Sequence, residues 1–238
     1  MRILLVGYGK MGRLVGELAP QYSCEVAGVV DPLSKAQTAA VDDPQWKGTV
    51  DVAVDFTSPD AVVANVRALA GQGINIVLGT TGWGAHEAEL RKIVSDAGIG
   101  IVAAPNFSTG VVLFELLVAR SAEIFAAQPE FGAWVHEAHH AAKKDAPSGT
   151  ALKLKKSMEA AGFNRPIDVS ATRAGYIPGT HRLGFDSAAD QITLTHTARS
   201  REGFAAGALI AAQWIIGRKG VYEFSEVFDE IVGGSAIR

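Results

Sequence analysis

Histidines and lysines cluster in the segment 137–150, near the middle of the 238-residue chain. His139 and His140 are adjacent, and Lys143 and Lys144 follow them closely. An imidazole exchanges a proton near neutral pH, and a lysine ammonium supplies positive charge. We therefore predict that this segment carries a general acid and attracts an anionic substrate. Neighbouring strand residues point to opposite faces, so the two histidines are not expected to share a metal ion, and no metal site is predicted.

A helix is predicted to begin directly after this cluster. Ser148, Gly149 and Thr150 open a helical pattern that runs over 148–161. Backbone N–H groups at a helix N-terminus bind carboxylates and other anions. The sequence therefore predicts an anion site beside the general acid.

A glycine-rich turn near the start of the chain has the spacing of a dinucleotide-binding fingerprint. It follows a predicted strand, opens a predicted helix and comprises Gly7, Tyr8, Gly9, Lys10, Met11 and Gly12. In such a turn the glycines permit a tight bend, close approach of the backbone to a pyrophosphate, and close packing of the helix on the strand. We expect a nicotinamide dinucleotide to bind here.

The acid after the second predicted strand indicates which dinucleotide binds. Asp31 stands 19 residues after Gly12, where its carboxylate can accept hydrogen bonds from the adenosine ribose and repel a 2′-phosphate. Pro32 and Leu33 supply no opposing charge, so NADH is the favoured cofactor. Lys35 stands four positions further on and could reach a phosphate, which keeps NADPH as the alternative.

Two later segments follow predicted strands of the same sheet and are further candidates for cofactor contact. Ligands of open α/β sheets bind at the carboxyl ends of the parallel strands. Each segment, taken alone, is equally consistent with an ordinary turn. The candidate residues are Gly79, Thr80 and Thr81 in the first segment, and Ala104, Pro105, Asn106 and Phe107 in the second.

Composition restricts the class of partner. The formal net charge is −3, and the chain has no run of five or six like charges, so neither nucleic acid nor a membrane surface is an expected partner. The apolar tracts are too short to span a bilayer.

Cys24 is the single cysteine and cannot form an intramolecular disulfide, which fits a reducing compartment. We expect a cytoplasmic protein that acts on a small molecule.

The hydrophobic pattern predicts two domains of different architecture. Over residues 1–107, short β-branched runs alternate with helical patterns, which indicates a Rossmann-type parallel sheet with helices on both faces. Residues 108–205 predict a smaller α+β domain with a mostly antiparallel sheet, for substrate binding and oligomerisation. Residues 206–238 are expected to return to the first domain.

The elements expected in these domains follow from local periodicity. The helix predicted over 110–127 is apolar almost all round, which favours burial between layers or subunits. A second helix is expected over 204–216, with a shorter one capped by Ser225. The predicted strands are Ile3–Val6, Glu25–Val30, Val50–Phe56, Ile74–Leu78, Ile99–Ala103, Phe131–Ala138, Asp168–Tyr176, His181–Ser187 and Gln191–Ala198.

With these motifs in view, the chain resembles the 4-hydroxy-tetrahydrodipicolinate reductase family, also called dihydrodipicolinate reductases, of the diaminopimelate and lysine pathway. The segment His-His-x-x-Lys-x-Asp-Ala-Pro-Ser-Gly-Thr is the most specific part of the resemblance. The remaining motifs are Gly7–Gly12, Asp55-Phe56-Thr57, Gly79–Gly82, Asn106-Phe107-Ser108, Arg173-Ala174-Gly175, Ser200-Arg201, Phe204-Ala205 and Gly207-Ala208.

The resemblance implies an NAD(P)H-dependent reduction of a cyclic hydroxy dicarboxylate, with loss of water. It gives His139 the role of proton donor and acceptor, and makes Lys143 the proton-donating lysine. It places the substrate carboxylate on His140 and on the turn formed by Ser148, Gly149 and Thr150. It further implies a homotetramer assembled through the mixed sheet.

This chain departs from the family pattern at two places. Ala141 and Ala142 stand where members commonly carry further basic residues, and Pro32 stands where many members have a basic residue after the ribose-binding acid. The second departure strengthens the expectation of NADH as cofactor.

Two other functions remain compatible with the motifs. One is a related two-domain amino-acid dehydrogenase, and the other is a regulator that senses NADH without catalysis. A sensor needs neither His139 nor Lys143, so the cluster favours the reductase. That function requires the nicotinamide face to meet the His139 imidazole across a common cleft.

Overall fold

The computed structural model describes residues 1–233. Within them the strands are β1 (Arg2–Val6), β2 (Glu25–Val30), β3 (Val52–Asp55), β4 (Asn75–Leu78), β5 (Gly100–Ala103), β6 (Gly132–His139), β7 (Ile167–Arg173), β8 (Thr180–Asp186), β9 (Gln191–Thr197) and β10 (Gly220–Glu223). The helices are α1 (Lys10–Leu18), α2 (Pro59–Gly71), α3 (Glu87–Ala97), α4 (Thr109–Ala126), α5 (Gly149–Ala160), α6 (Glu202–Trp214) and α7 (Phe224–Gly233). Short 3-10 helices cover Ala19–Tyr22, Pro44–Trp46 and Gly84–His86.

The chain divides into two compact units. Unit 1 combines Met1–Ser108 with the chain from Arg201 onward, and unit 2 is Thr109–Ser200. The second junction, which we expected near Ala205, therefore lies before α6 instead of inside it. A helix end is the natural place for such a junction, since a break within α6 would interrupt its backbone hydrogen bonds.

Unit 1 is built on the predicted parallel sheet. Its strand order is β10-β5-β4-β3-β1-β2, and every neighbouring pair is parallel. All residues of β3 and β5 are buried, as strands covered on both faces must be, and this explains their continuous apolar sequences. The chain direction across the sheet reverses between β1 and β3. The carboxyl ends of these two strands therefore flank the crevice where open α/β sheets bind ligands.

The strand β10 was missing from the sequence-based prediction. It has only four residues, of which the first is a glycine and the last a glutamate, and it lies at the sheet edge beside β5. The helix after it begins at Phe224, one residue before the predicted cap Ser225. The Glu226 carboxylate accepts the Glu223 N–H, 2.9 Å away, and so supplies the cap that we assigned to the serine.

Unit 2 contains the second sheet, with strand order β7-β6-β8-β9. The expected antiparallel pairing is found between β6 and β8 and between β8 and β9. β6 and β7 are parallel instead, because α5 lies between them in the chain and carries it back to the start of the sheet. The sheet is therefore mixed, with antiparallel pairs in the majority.

The helices α4 and α5 cover one face of this sheet. Phe114 and Val118 of α4 belong to the same buried cluster as Leu154 of α5 and Leu183 and Phe185 of β8. The opposite side of α4 is not buried in this single chain. It exposes four large apolar side chains, Leu113, Leu116, Leu117 and Ile124. None of the helices within residues 1–233 is long and apolar enough to cross a lipid bilayer.

Candidate active site

The glycine-rich turn lies between β1 and α1, at the carboxyl end of the sheet. Gly7 has a φ of +86°, and a Cβ placed on it would overlap the Phe56 carbonyl oxygen. A Cβ on Gly12 would overlap the carbonyl oxygen of Gly7, so the helix packs directly on the turn. Gly9 is the N-cap of α1, makes no side-chain cap, and has open space at its Cβ position. The first amides of α1 are thus presented as an anion-binding N-terminus.

The Asp31 carboxylate fastens this turn to the end of β2. Its Oδ2 accepts the Tyr8 N–H, 2.8 Å away, and its Oδ1 accepts the Leu33 N–H, 2.9 Å away. Each carboxylate oxygen has a further lone pair. The same group can therefore position the turn and receive ribose hydroxyls.

A buried aspartate orders the next two turns along the same sheet edge. Asp55 ends β3 and is fully buried. Its Oδ1 accepts the Thr57 hydroxyl at 2.7 Å and the Thr80 hydroxyl at 2.9 Å, and its Oδ2 accepts the Asn65 amide at 2.9 Å. Burial raises the pKa of Asp55, and the hydrogen bonds from Thr57, Asn65 and Thr80 oppose that rise. The network fixes the turns after β3 and β4 to each other.

The segments after β4 and β5 line one cavity of about 160 Å³ in unit 1. The Trp83 indole donates to the Thr80 carbonyl oxygen at 2.8 Å and so holds the first of these turns. The predicted contacts Thr80, Thr81, Ala104 and Pro105 all face this cavity, whose other lining residues are Gly82, Trp83, Gly84, Ala103 and Glu223.

Phe107 and Asn106 are placed differently. The Phe107 ring is buried and contacts the Phe224 ring, with centroids 4.9 Å apart. The Asn106 Oδ1 accepts the Ser108 N–H at 2.8 Å and closes a local turn. Both side chains serve the fold of unit 1, and a cofactor contact from Phe107 would have to come from its backbone.

These observations fit a nicotinamide dinucleotide. The uncapped N-terminus of α1 suits the pyrophosphate, and a glycine at position 7 is required because a side chain there would collide with the turn after β3. The Asp31 carboxylate oxygens could accept hydrogen bonds from the hydroxyl groups of the adenosine ribose. The residues that would hold the cofactor are Gly7 to Gly12, Asp31, Gly79 to Thr81, and the segment from Ala104 to Phe107.

In unit 2, the His139 ring is held by a buried carboxylate on its own strand. Glu137 and His139 lie on the same face of β6, and the imidazole Nδ1 is hydrogen-bonded to Glu137 Oε2. The other ring nitrogen, Nε2, faces Gly179, where an added Cβ would lie 3.1 Å from it. The bond to Glu137 engages Nδ1 and fixes the orientation of the ring, so Nε2 is the nitrogen that can act on another molecule.

The Glu137 carboxylate also binds Arg173 and Ser148. Its Oε1 accepts the Arg173 Nη2 at 2.6 Å and the Ser148 N–H at 3.0 Å, and its Oε2 accepts the Arg173 Nη1 at 2.9 Å. Burial alone would raise the pKa of Glu137. The hydrogen bonds from Arg173, His139 and Ser148 outweigh burial and lower this pKa to about 2. Glu137 is therefore an anion throughout the physiological range.

Lys143 and the first turn of α5 meet at a second carboxylate, that of Asp145. Lys143 Nζ lies 2.7 and 2.9 Å from the two carboxylate oxygens. The Gly149 N–H lies close enough to this carboxylate to help lower its pKa, and the Asp145 carbonyl oxygen accepts a hydrogen bond from Arg173. Lys143 and Gly149 are therefore joined to His139 through Asp145, Arg173 and Glu137.

His181 and His196 extend the cluster across β8 and β9. The His181 ring lies edge-on to the His139 ring, with centroids 5.2 Å apart, and its Nε2 lies 3.3 Å from the Ser148 hydroxyl. Burial is the main cause that lowers the pKa of His181 to about 4, with smaller contributions from His139, His196 and Lys143 and an opposing one from Glu137. Burial also lowers the pKa of His196. His181 is therefore neutral at physiological pH.

The four predicted substrate-binding residues differ in how their groups are used. Ser148 caps α5 by accepting the Ala151 N–H, and its own N–H is bound to Glu137, so its polar groups are engaged within the chain. Gly149 and Thr150 form the first turn of α5 behind that cap. His140 follows the last residue of β6 and is half-buried. Lys144 is exposed, as expected of a solvated charge.

Sequence reasoning did not single out Glu137, Arg173 or His181 as parts of the site. Glu137 could have been found, because residues two apart on a strand share a face. Arg173 and His181 stand on other strands, and only the register of β6 with β7 and β8 brings them to this face. Within residues 1–233, no three His, Cys, Asp or Glu side chains are arranged to hold a metal ion.

Two family models together match nearly the whole chain. The model described as dihydrodipicolinate reductase, N-terminus, matches residues 1–107, and the model described as dihydrodipicolinate reductase, C-terminus, matches residues 110–228. The first range contains the glycine-rich turn, and the second contains Glu137, His139 and Lys143.

Curated relatives and a solved structure give the same result. A 4-hydroxy-tetrahydrodipicolinate reductase of Christiangramia forsetii is 31% identical over 97% of this chain and 99% of its own length. One from Myxococcus xanthus is 38% identical over 84% of this chain and 76% of its length. The dipicolinate-bound dihydrodipicolinate reductase from Paenisporosarcina sp. TG-14 shares the fold, with a TM-score of 0.77 and 21% identity over 94% of this chain and 97% of that one.

The Glu137 network predicts a specific loss of stability in E137Q. Glutamine cannot balance the charge of Arg173, so at neutral pH we expect the free energy of unfolding to fall by on the order of 3 kcal/mol. Because the Glu137 pKa is lowered to about 2 from its ordinary value of 4.5, its contribution is complete above pH 4.5 and is lost as the pH falls toward 2. The difference between the two proteins should shrink over that window in urea unfolding experiments.

The matched control is E123Q, which removes the carboxylate of an exposed pair with Arg120. The E123Q substitution should change the free energy of unfolding by no more than about 0.5 kcal/mol. Equal losses in E137Q and E123Q, or a loss in E137Q that does not vary between pH 7 and pH 3, would contradict the assigned role of Glu137.

Proposed function

Because the chain belongs to the dihydrodipicolinate reductase family, we propose that it reduces 4-hydroxy-tetrahydrodipicolinate with NAD(P)H, giving tetrahydrodipicolinate and water in the diaminopimelate and lysine pathway. The observation that carries the proposal is the connected network of His139, Glu137, Arg173, Asp145 and Lys143. The network joins the His139 imidazole to the Lys143 ammonium beside the N-terminus of α5, and this supports the roles of proton donor and fixed cation that we assign to them.

The substrate is a dicarboxylate, and the groups around the network suit it. Lys143 supplies an ammonium, and the Gly149 and Thr150 amides lie in the first turn of α5. Ser148 contributes by holding that turn, since its hydroxyl caps the helix and its N–H is fixed by Glu137. His140, next to His139 in the chain, is the remaining proposed carboxylate ligand.

His139 and Lys143 divide the chemistry between them. A nicotinamide cofactor, when bound, would supply the hydride for a ring carbon of the substrate. The His139 Nε2 donates the proton that balances the added negative charge, and the Glu137 carboxylate fixes the ring through Nδ1. The Lys143 ammonium stabilises negative charge on the substrate. Water is lost as the hydroxyl group of the substrate together with a proton from the neighbouring ring carbon.

The direct test is turnover of freshly prepared 4-hydroxy-tetrahydrodipicolinate by the full chain. We expect loss of the reduced-nicotinamide absorbance that depends on both enzyme and substrate. If neither NADH nor NADPH is oxidised, the proposed function is wrong. Substrate-free reactions and aspartate as an alternative substrate are the controls, because an amino-acid dehydrogenase would turn over the latter with the oxidised cofactor.

A second test concerns the proton donor. H139N should lower kcat by roughly 10²–10⁴, the usual contribution of a positioned general acid. H136N is the control, because His136 stands on the same strand but on the opposite face, with its Nε2 3.0 Å from the Thr172 hydroxyl. A kcat for H139N within a few-fold of the unmodified enzyme would show that His139 is not the donor.

We further propose that NADH is preferred over NADPH. The support is the Asp31 carboxylate at the end of β2, whose negative charge is fixed beside the glycine-rich turn by the Tyr8 and Leu33 amides. Such a carboxylate hydrogen-bonds a ribose hydroxyl and repels a 2′-phosphate. Pro32 offers no positive charge to offset that repulsion.

D31N tests the preference. The ratio of kcat/KM for NADH to kcat/KM for NADPH should fall by about tenfold, because carboxylate–phosphate repulsion near a protein surface is worth about a kcal/mol or more. A ratio is used because damage to the turn would affect both cofactors alike. The control, D42N, removes an exposed charge from the same connection and should leave the ratio unchanged. An unchanged ratio in D31N would contradict the proposal.

We also propose that the enzyme is cytoplasmic and works as a homotetramer, as the family resemblance implies. The exposed apolar side chains of α4 support association, since Leu117 and Ile124 are each more than half exposed in the single chain. A single cysteine, buried in unit 1, supports a reducing compartment.

A further inference from the structure

An internal carboxylate occupies the groups that the proposed function gives to the substrate. Both oxygens of Asp145 contact the Lys143 ammonium, at 2.7 and 2.9 Å, and the Gly149 N–H lies close enough to help lower the pKa of this carboxylate. Lys143 and Gly149 are two of the proposed carboxylate ligands. A substrate carboxylate therefore meets a competitor that belongs to the protein itself.

The backbone and side chain of Asp145 are held very differently. The Asp145 carbonyl oxygen is bound by Arg173, which is in turn fixed by two hydrogen bonds to the buried Glu137. The Asp145 side chain is 56% exposed, whereas that of Lys143 is only 25% exposed. The carboxylate can consequently rotate into solvent while the main chain of Asp145 keeps its place.

We propose that Asp145 is an affinity-determining residue, whose carboxylate is displaced from Lys143 and Gly149 when the substrate carboxylate binds. The inference rests on the proposed function. Two carboxylates on one ammonium repel each other, so the ligand exchanges for Asp145 instead of adding to it. The binding free energy is then the difference between the hydrogen bonds to the ligand carboxylate and those to the Asp145 carboxylate. Because these two sets are similar, the ligand binds more weakly than it would at an unoccupied ammonium, and only a negatively charged ligand can replace Asp145.

The charge state of Asp145 agrees with this role. The hydrogen bond from Lys143 is the main cause that lowers the pKa of Asp145 below its usual value. The competing carboxylate is therefore ionised throughout the neutral range in which the enzyme would work.

The experiment measures binding of dipicolinate, pyridine-2,6-dicarboxylate, to the full chain by isothermal titration calorimetry. D145N removes the charge but keeps an oxygen that can accept the Gly149 N–H. We expect its Kd to be lower than that of the unmodified chain by about threefold to tenfold, the range for an ion pair that is partly exposed to solvent. D145S, which lacks the charge as well, should also bind more tightly.

The matched control is D96N. Asp96 is also an exposed carboxylate, 2.9 Å from a lysine ammonium, that of Lys92. D96N changes the net charge of the chain by the same amount as D145N, and it should leave the Kd for dipicolinate unchanged. A shift of the same size in D96N and D145N would show a general charge effect and overturn the inference.

The remaining outcomes separate the two proposals. If all the proteins bind dipicolinate with equal Kd, or if D145N binds more weakly, Asp145 does not compete with the ligand, and this inference alone is overturned. If none of them binds dipicolinate and none turns over the substrate, the proposed function is wrong, and the inference is overturned with it.

Discussion

The candidate site depends on one buried anion, the Glu137 carboxylate. Without partners, a fully buried carboxylate is expensive, and its pKa rises until it is neutral. Here Arg173 donates twice, and His139 and the Ser148 amide donate once each, so the charged form is the stable one. These donors come from three separate elements of unit 2. The buried charge of Glu137 needs all of these donors. It therefore holds the His139 ring, the start of α5 and the end of β7 together.

Unit 1 uses carboxylates in the same way. Asp55 accepts hydrogen bonds from Thr57 and Thr80, just beyond the ends of β3 and β4, and from Asn65 of α2, and Asp31 accepts the Tyr8 amide of the glycine-rich turn. In each case the acid lies at or just beyond the carboxyl end of a parallel strand. Cofactor-binding turns have little apolar surface to bury, so hydrogen bonds to an ionisable group supply the order that packing cannot.

Sequence patterns predicted what local physics determines. The glycine spacing and the apolar runs of β1 to β5 gave the parallel sheet, because each depends on residues close together in the chain. The strand β10 was missed because four residues at a sheet edge carry too weak a pattern. Ser148 was assigned to the substrate, although a serine that opens a helix is also a strong cap, and the structure uses its hydroxyl in that way. The contacts of Arg173 and His181 in the site could not be predicted, because they depend on how β7 and β8 align with β6, and residue spacing does not give that register.

The charges of the network nearly cancel, and this balance bears on the chemistry. Glu137 offsets Arg173, Asp145 offsets Lys143, and His181 is neutral because burial lowers its pKa to about 4. A dicarboxylate substrate adds two negative charges to this balance. Under the proposed function, the charges of the network already cancel before the ligand arrives, so a dianionic ligand has to displace the Asp145 carboxylate from the Lys143 ammonium. The charge balance of the free site therefore makes exchange, instead of simple addition, the way in which a dicarboxylate binds.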